Sequence, residues 1–568
     1  MTFQSIRIRC LTTFLTGLSL ATFGASEPTR AENNSDDLAH VGLVLHWESN
    51  IGGAPLANGP QSFVLWSHTT EKREYVNVRY APKLNSHVVN KREITTLRIP
   101  SGTIGVVTKV ISDGASFEVE FSDAKGKVLG LTVMDAKDVS PIDTRIIERI
   151  RGEEVDQKRL EQAIISGEKI LKTPRLGLQG ATEKAQKLVA TYKTLGRNVD
   201  IEPYSQRIAF AVTLTSNGIL ESMDAETGAV LWRTQAGIST LPMFGPGVSD
   251  DYVVATNGNV FYVYELATGN IVTSRKLEFT PTACPTVLGD KIIVPSVDGR
   301  LVAYDIKKPE IAPAIIRIGI ENRLGVVISA DRKFFAWPTG RKLIQAKMDQ
   351  FPILWNATSV NERILALPIA TQNGFLASTE HGTVFHCSTG REDALFWKTR
   401  LAVQVSQSPL ANKELAFVVS DEGILFALRM QDGTDAWGHQ PQHIQNLIAV
   451  GKKHLYVKDW RKALVAIDLE TGLESAQTSL ILPDVVPNKI TDRLLFVTKQ
   501  GQVTCLREID ATVPSFTTEM NVASTAIQVA PKNPEETAPK PMEDESNVFE
   551  GAGSTTTTTD EDPFKIDP

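Results

Sequence analysis

From Ile208 to Ile509 the apolar residues recur in short runs divided by turns, and the runs themselves repeat. With anchors at Gly218, Gly258, Gly299, Arg332, Gly382, Gly423, Lys462 and Gly501 the mean step is about 40 residues, the length of one four-stranded propeller blade. Two residues past the anchors stand Leu220, Val260, Leu301, Phe334, Val384, Leu425, Leu464 and Val503, and four past stand Ser222, Tyr262, Ala303, Ala336, His386, Ala427, Ala466 and Cys505. A period of two marks one face of a strand. The fifth position is apolar as well (Met223, Val263, Tyr304, Trp337, Cys387, Leu428, Ile467, Leu506), so each strand is predicted to be buried on both faces, between neighbouring sheets.

The fullest copy runs from Ser216 to Trp232. It sets Gly218 before the strand, Asp224-Ala225-Glu226-Thr227-Gly228 after it, and Trp232 at the end. Glycine supplies the positive φ of the first turn, and the Asp and Thr oxygens hold backbone N–H groups in the second. Arg332 and Lys462 replace glycine at two anchors, and the turn at Lys462 is predicted to avoid the left-handed conformation. The third and last copies lack the Thr-Gly turn, and the second, third, seventh and last lack the Trp.

At these residues the chain resembles the PQQ-type propeller repeat, Gly-x-Leu-x-Ala-x-Asp-x-x-Thr-Gly-x-x-x-Trp, found in quinoprotein dehydrogenases and in the outer-membrane assembly factor BamB. The resemblance implies an all-β, eight-bladed β-propeller over 205–510, or seven blades if the degenerate copy from Ser329 to Gly340 is an insertion. The repeat specifies a fold and leaves the function open.

Ahead of the repeats, Arg7 and Arg9 precede an uncharged stretch from Leu11 to Ser26, the form of a signal peptide. Residues 1–31 are read as that signal, with cleavage after Ala25 or after Ala31, Thr29-Arg30-Ala31 being the better fit. Cys10 lies before the apolar core, where a lipid-bearing cysteine would have to follow it. Residues 38–142 read as a β-rich region. Thr103 to Val110, Phe117 to Phe121 and Val128 to Val133 are divided by Asp113-Gly114 and Lys125-Gly126 turns, and these pieces resemble small SH3-like barrels. Residues 143–200 read as a helical connector, with Ala181, Ala185, Leu188, Tyr192 and Leu195 on one face and the charged stretch Thr144 to Leu171 also helical. Residues 511–568 read as an acidic disordered tail. From Glu519 onward eleven acidic residues face three lysines, so the tail carries essentially the whole net charge of −7.

Charge changes the functional picture by subtraction. The near-neutral ordered part has no concentrated basic face, which argues against nucleic acid as a partner. Cys284, Cys387 and Cys505 fall on different repeats, and the last two occupy buried strand positions, the pattern of packed free thiols. The resembling dehydrogenases join two adjacent cysteines and cage a calcium ion with Glu, Asn and Asp; here no two cysteines are adjacent. His381, His386, His439 and His443 are the candidate metal ligands by residue type. His386 stands at an alanine position of its repeat and is expected to be buried and hydrogen-bonded, while Gly438 and Pro441 place His439 and His443 in a loop.

The reading is an exported, non-catalytic propeller acting as a protein-interaction scaffold in the periplasm or cell envelope, similar in role to an outer-membrane assembly factor. No catalytic, cofactor-binding or metal residue and no cofactor is assigned; the partner is a protein or an envelope component, with no transmembrane segment after signal removal. The alternative is a quinoprotein-like oxidoreductase binding PQQ and calcium.

Overall fold

The computed structural model describes residues 37–517, except 54–61, 81, 83, 91, 101–102, 112–115, 123–126, 142–145, 167–173, 196–198, 319–323, 390–394, 479 and 510. Residues 1–36, which hold the stretch read as a signal peptide, and the acidic stretch from 518 onward lie outside the described residues.

The first two strands belong to the ring, against the expectation that 38–142 forms a separate region ahead of it. Strand β1 (Leu43–Asn50) pairs antiparallel with Gln502–Glu508 at the far end of the repeats. Strand β2 (Phe63–Tyr80) runs along nearly the whole of a later strand, Val199–Leu214. These pairings join residues far apart in the chain, so no local pattern announces them.

Between the paired strands lies an insertion. Strands β3 (His87–Asn90), β4 (Ile104–Ile111), β5 (Ser116–Ser122), β6 (Val128–Asp135) and β7 (Val139–Pro141) form one sheet in the order β6-β5-β4-β3-β7. Phe117, Val119 and Phe121 alternate into its core, against Val88, Val107 and Met134. Strand β8 (Ile146–Arg151) pairs with the outer half of β2, so the start of the charged segment expected to be helical is a strand. Helices α1 (Gln157–Ser166) and α2 (Gly177–Thr194) follow. Ala181 and Ala185 on α2 are fully buried against Val76, Val78, Ile150 and Val199, whereas Leu195 is exposed. The helix therefore covers the arm made by β2, β8 and β9 (Val199–Leu214), which carries the insertion.

Ahead of the register break between Ser67 and Lys72, Phe63 to Ser67 of β2 form the first strand of a ring sheet with β9, β10 (Ile219–Asp224) and β11 (Val230–Gln235). Six further sheets span 243–276, 286–317, 327–359, 369–400, 410–429 and 444–477, and an eighth joins 484–508 to β1. Sheets two and three meet through Val254, Phe261 and Val263 on Ile292, Val294 and Tyr304. Similar clusters link each sheet to the next, and the last packs Leu495, Val497 and Cys505 of sheet eight on Phe63, Ala211 and Met223 of sheet one. The ring is closed.

The repeat tryptophans explain part of this closure. Trp232, Trp397 and Trp437 each donate their indole N–H to a carbonyl of the following sheet, at Leu266, Met430 and Leu469, over 2.6, 2.8 and 3.0 Å. Each ring lies against the turn glycine there, Gly269, Gly433 or Gly472, where a side chain would collide with it. The last copy lacks a tryptophan in sequence order because the other end of the chain supplies it. Trp47 on β1 stands opposite Cys505, as Trp232 stands opposite Ser222 and Trp397 opposite His386. It donates to the Ala225 carbonyl at 3.0 Å and lies on Gly228.

Two sequence expectations fail at the anchors. In the fourth sheet Ser329 to Arg332 is the turn between the first and second strands, Val327–Ile328 and Phe334–Thr339. The equivalent of the other anchors is Gly340, which opens the turn between the paired residues Thr339 and Lys342 as Gly258 opens the turn between Asn257 and Val260, both at positive φ. With Gly340 in place the steps become nearly equal, at about 40 residues. The degenerate copy is thus part of a complete sheet rather than an insertion. Lys462, moreover, has φ +67°, so this turn keeps the left-handed conformation without glycine.

Candidate functional site

With the strands of each ring sheet lettered A to D from the centre outward, the C–D turn of sheet one, Asp224 to Gly228, gathers charge from four parts of the chain. Glu226, almost fully buried, takes His46 Nε2 from β1 at 2.8 Å and Arg493 Nη2 from sheet eight at 3.4 Å, with Arg149 Nη2 from β8 at 3.9 Å. Arg149 also donates to the Glu226 carbonyl at 2.6 Å and to Asn77 Oδ1 at 2.8 Å. Arg493 reaches Asp492 at 3.2 Å and the Ala511 carbonyl at 2.9 Å, so the beginning of the segment expected to be a disordered tail is packed here. Beside it Asp224 accepts from Arg73 and, at 3.1 Å, from the Tyr75 hydroxyl, and the Tyr75 and Tyr204 rings stack at 5.2 Å.

Burial alone would raise the Glu226 carboxyl; Arg493 first, then His46 and Arg149, outweigh it and hold the group well below the carboxylate range. Burial acts the other way on His46, pushing it down to about 3 despite its carboxylate neighbour, so the ring is neutral and donates from Nε2. Each of these charges is matched by another. The chemistry available to such a cluster is positional: it pins the insertion, β1 and sheet eight to one turn.

A second polar cluster crosses one mouth of the ring. Trp66 on β2 donates its indole N–H to Asp250 Oδ1 at 3.0 Å, and Thr69 donates to Asp250 Oδ2 at 2.5 Å. Arg332 of sheet four pairs with Asp250 of sheet two, donates to the Ser67 carbonyl, and lays its guanidinium 4.1 Å from the Trp66 ring centre. Sheets one and four are not neighbours, so this contact spans the mouth. Further round the same face a half-open cleft of about 700 Å³ lies between the loops of sheets four and five, bordered by Asp331, Gln372, Asn373, Thr389 and Phe396.

The opposite face, which carries the B–C turns, displays an exposed aromatic residue. Trp460 is 62% exposed, stacks on His443 at 5.2 Å and has Arg461 near its ring. The adjoining loop, tied to the same turn by the Leu482 N–H to Lys462 carbonyl bond, holds Ile481 at 78% exposure.

The structure does not bring the four candidate histidines together. His386 is buried, bonded through Nε2 to Thr371 at 2.9 Å and pushed down to about 4 by desolvation. His381 lies at the surface near Glu380, His439 Nε2 is 3.1 Å from the Gly472 carbonyl, and His443 lies under Trp460. No group of three or more potential metal ligands occurs among the described residues. Cys387 and Cys505 are buried free thiols, and Cys284 is a free thiol at an intermediate position. No helix among the described residues is long and apolar enough to cross a membrane. Sequence reasoning missed the Glu226 hub, since its members lie in β1, β8, sheet one and sheet eight. One signal pointed to it: the first repeat lacks an opening strand and the last lacks a closing one, while Leu43 to Trp47 and Phe63 to Trp66 are strand-like runs without a partner.

The family model described as outer membrane protein assembly factor BamB matches residues 216–312 and 338–530. Among solved structures, BamB from Moraxella catarrhalis is 15% identical, with a TM-score of 0.42 over 52% of this chain and 91% of its own. The computationally designed Ika8 protein is 14% identical, with a TM-score of 0.41 over 52% of this chain and 92% of its own. No curated protein matches.

Proposed function

Since this chain belongs to the family of outer membrane protein assembly factor BamB, we propose that it is an exported, non-catalytic propeller that binds a protein partner in the cell envelope. The observation that carries the reading is the exposed pair Trp460 and Ile481 on the B–C face. A large aromatic residue held by its neighbours and open to solvent is the residue type that dominates protein interfaces, because it buries wide apolar area at little entropic cost. The signal-like stretch Leu11 to Ser26 and the family's printed description support an envelope location.

A quinone cofactor needs an open aromatic face in the channel, and here the Trp66 ring already carries Arg332. This supports the binding reading over a PQQ enzyme. The test is a crosslinking pull-down from the envelope fraction with the full chain and its Trp460→Ala and Ile481→Ala variants. A discrete partner captured by the native chain and lost with Trp460→Ala is the expected outcome; equal capture by all three sinks the assignment. Calorimetry with PQQ and Ca²⁺ together is expected to give no saturable binding, and stoichiometric binding with dye reduction would reinstate the enzyme.

A further inference from the structure

Strand β6 ends its sheet. It pairs with β5 on one side, and among the described residues no strand pairs with the other. Its sequence, Val128-Leu129-Gly130-Leu131-Thr132-Val133-Met134-Asp135, carries no lysine or proline, and its only charge stands at the end. Natural edge strands are usually blunted by such residues, since an open apolar edge is a template for another strand. Here the reverse has been built. Leu129, Leu131 and Val133 alternate on the outer face at 40, 50 and 56% exposure. The register is not free to slip and bury them: Met134 faces the core, and the inner face at Gly130 is filled by Leu97, leaving no room for a side chain.

The same outer face carries two carboxylates. Glu120 stands opposite Leu131 and Glu118 opposite Val133 on the neighbouring strand. Glu118 accepts from the Thr108 hydroxyl at 3.2 Å, and neither makes an ion pair among the described residues. A strand added beyond β6 would lie about two strand spacings, roughly 10 Å, from β5. A lysine or arginine on it, its stem lying over Leu131 or Val133, brings its charged head to Glu120 or Glu118.

We propose that β6 is a docking edge that takes an extended segment of a partner protein as a sixth strand, the segment alternating basic residues on the outer face with apolar residues on the inner. Charge selects this occupant over a second copy of the chain. Two β6 edges meeting would add no cation to a face that holds four carboxylates, whereas a basic segment offers each glutamate a partner across β6. Backbone hydrogen bonds supply affinity, and the glutamates supply the choice of segment. The inference concerns the insertion alone and stands apart from what the B–C face binds.

The test uses the full chain and a fluorescein-labelled peptide of about eight residues alternating lysine and valine, a length matched to the edge, followed by fluorescence anisotropy at low salt. Saturable binding is expected, together with slowed amide exchange over 128–135. Leu131→Lys and Val133→Lys, both at half-exposed positions that leave the fold intact, are expected to weaken it at least about tenfold, and Glu120→Lys to weaken it similarly. A peptide N-methylated at alternate residues, its charge kept and its hydrogen bonds removed, is expected not to bind. Equal affinity for the native chain and Leu131→Lys, or protection that omits β6, overturns the proposal. So does a dimer of the native chain that Leu131→Lys dissolves while the peptide binds neither form, since that makes β6 a self-pairing edge.

Discussion

Sheet two is one continuous stretch, 243–276, while sheet eight combines 484–508 with β1 from the opposite end of the chain. Both turn the faces of their strands to the neighbouring sheets and fill the space between with apolar side chains. Sheet two's strands are joined by short turns and find each other locally. Sheet eight has to overcome the closure entropy of several hundred residues, and it must select β1 among all the chain's strands. Its added devices sit on β1. The register shifts between Leu45 and Trp47, and this bulge lets His46 and Trp47, adjacent in sequence, both reach the 224–228 turn of sheet one. The difference teaches that apolar burial suffices where connectivity does the choosing, and that long-range closure is specified by one shaped contact and one buried charge cluster.

The largest expected effect tests the shaped contact. Trp47→Ala should cost about 3–5 kcal/mol, the usual range for removing a buried tryptophan. Trp232→Ala, at the interface of sheets one and two, should cost a similar amount in urea unfolding. The two are told apart by amide exchange, because Trp47→Ala should expose the amides of β1 and of 502–508 well before the rest of the ring. Early opening of the same amides in Trp232→Ala would mean that sheet eight is no more dependent on its tryptophan than any other.

The buried charges come next. Glu226→Gln keeps most of the shape and leaves Arg149 and Arg493 without their shared carboxylate, at an expected cost of about 2–3 kcal/mol. The control is Glu265→Gln in the corresponding turn region of sheet two, where the side chain is exposed and accepts from Thr268. That change should stay within about 0.5 kcal/mol. Similar losses for both would remove the distinction between the two sheets.

How much of this was legible before the structure follows from the same contrast. The repeats were readable because a blade is specified by short-range chemistry, a positive-φ turn, a period of two and an Asx-type turn, all within about 40 residues. The fourth anchor was misplaced because Ser329 to Arg332 copies the backbone bond of the true anchors, with Arg332 N–H to Ser329 carbonyl at 2.9 Å beside Gly423 N–H to Ser420 carbonyl at 2.9 Å. Strand β1, the inner strand β2 and the Glu226 hub were not read, since the strand-like runs Leu43 to Trp47 and Phe63 to Trp66 carry no mark of which distant strand they pair with. Trp460 stood in an anchor turn and gave no sign of its exposure, which depends on loops from two adjacent sheets.

Acid should separate the two sheets further. His46 is held neutral in the folded chain, pushed down to about 3, while the unfolded chain takes up a proton near pH 6.5. A lowered histidine contributes stability that is whole above the unfolded value and is lost as the pH falls toward the folded one. Glu226, also lowered, works in the same direction below the ordinary carboxylate range. Between pH 6 and 4 stability should therefore fall by about 1.4 kcal/mol per pH unit from His46 alone. His46→Asn should flatten the profile measured by urea unfolding across that range, and an unchanged slope would show that the histidine is not the group being protonated.

The smallest effect concerns the anchor turns, which every sheet shares. Gly423 has φ +83°, and a Cβ there would stand 3.0 Å from the Ile444 carbonyl, so Gly423→Val should cost about 1–3 kcal/mol. Lys462 occupies the same conformation at φ +67° with a side chain already present, so the strain of about 1 kcal/mol is part of the native protein. Lys462→Gly relieves that strain but frees the unfolded chain by about 0.5–1 kcal/mol, leaving a net change near zero. Lys462→Val adds only the branching penalty and should cost less than Gly423→Val. A large stabilisation by Lys462→Gly in thermal melts would show that the turn's strain is greater than its backbone angle implies. A large loss would show that the Lys462 side chain holds the Trp460 loop in place, and the anchor would then belong to the binding face as much as to the blade.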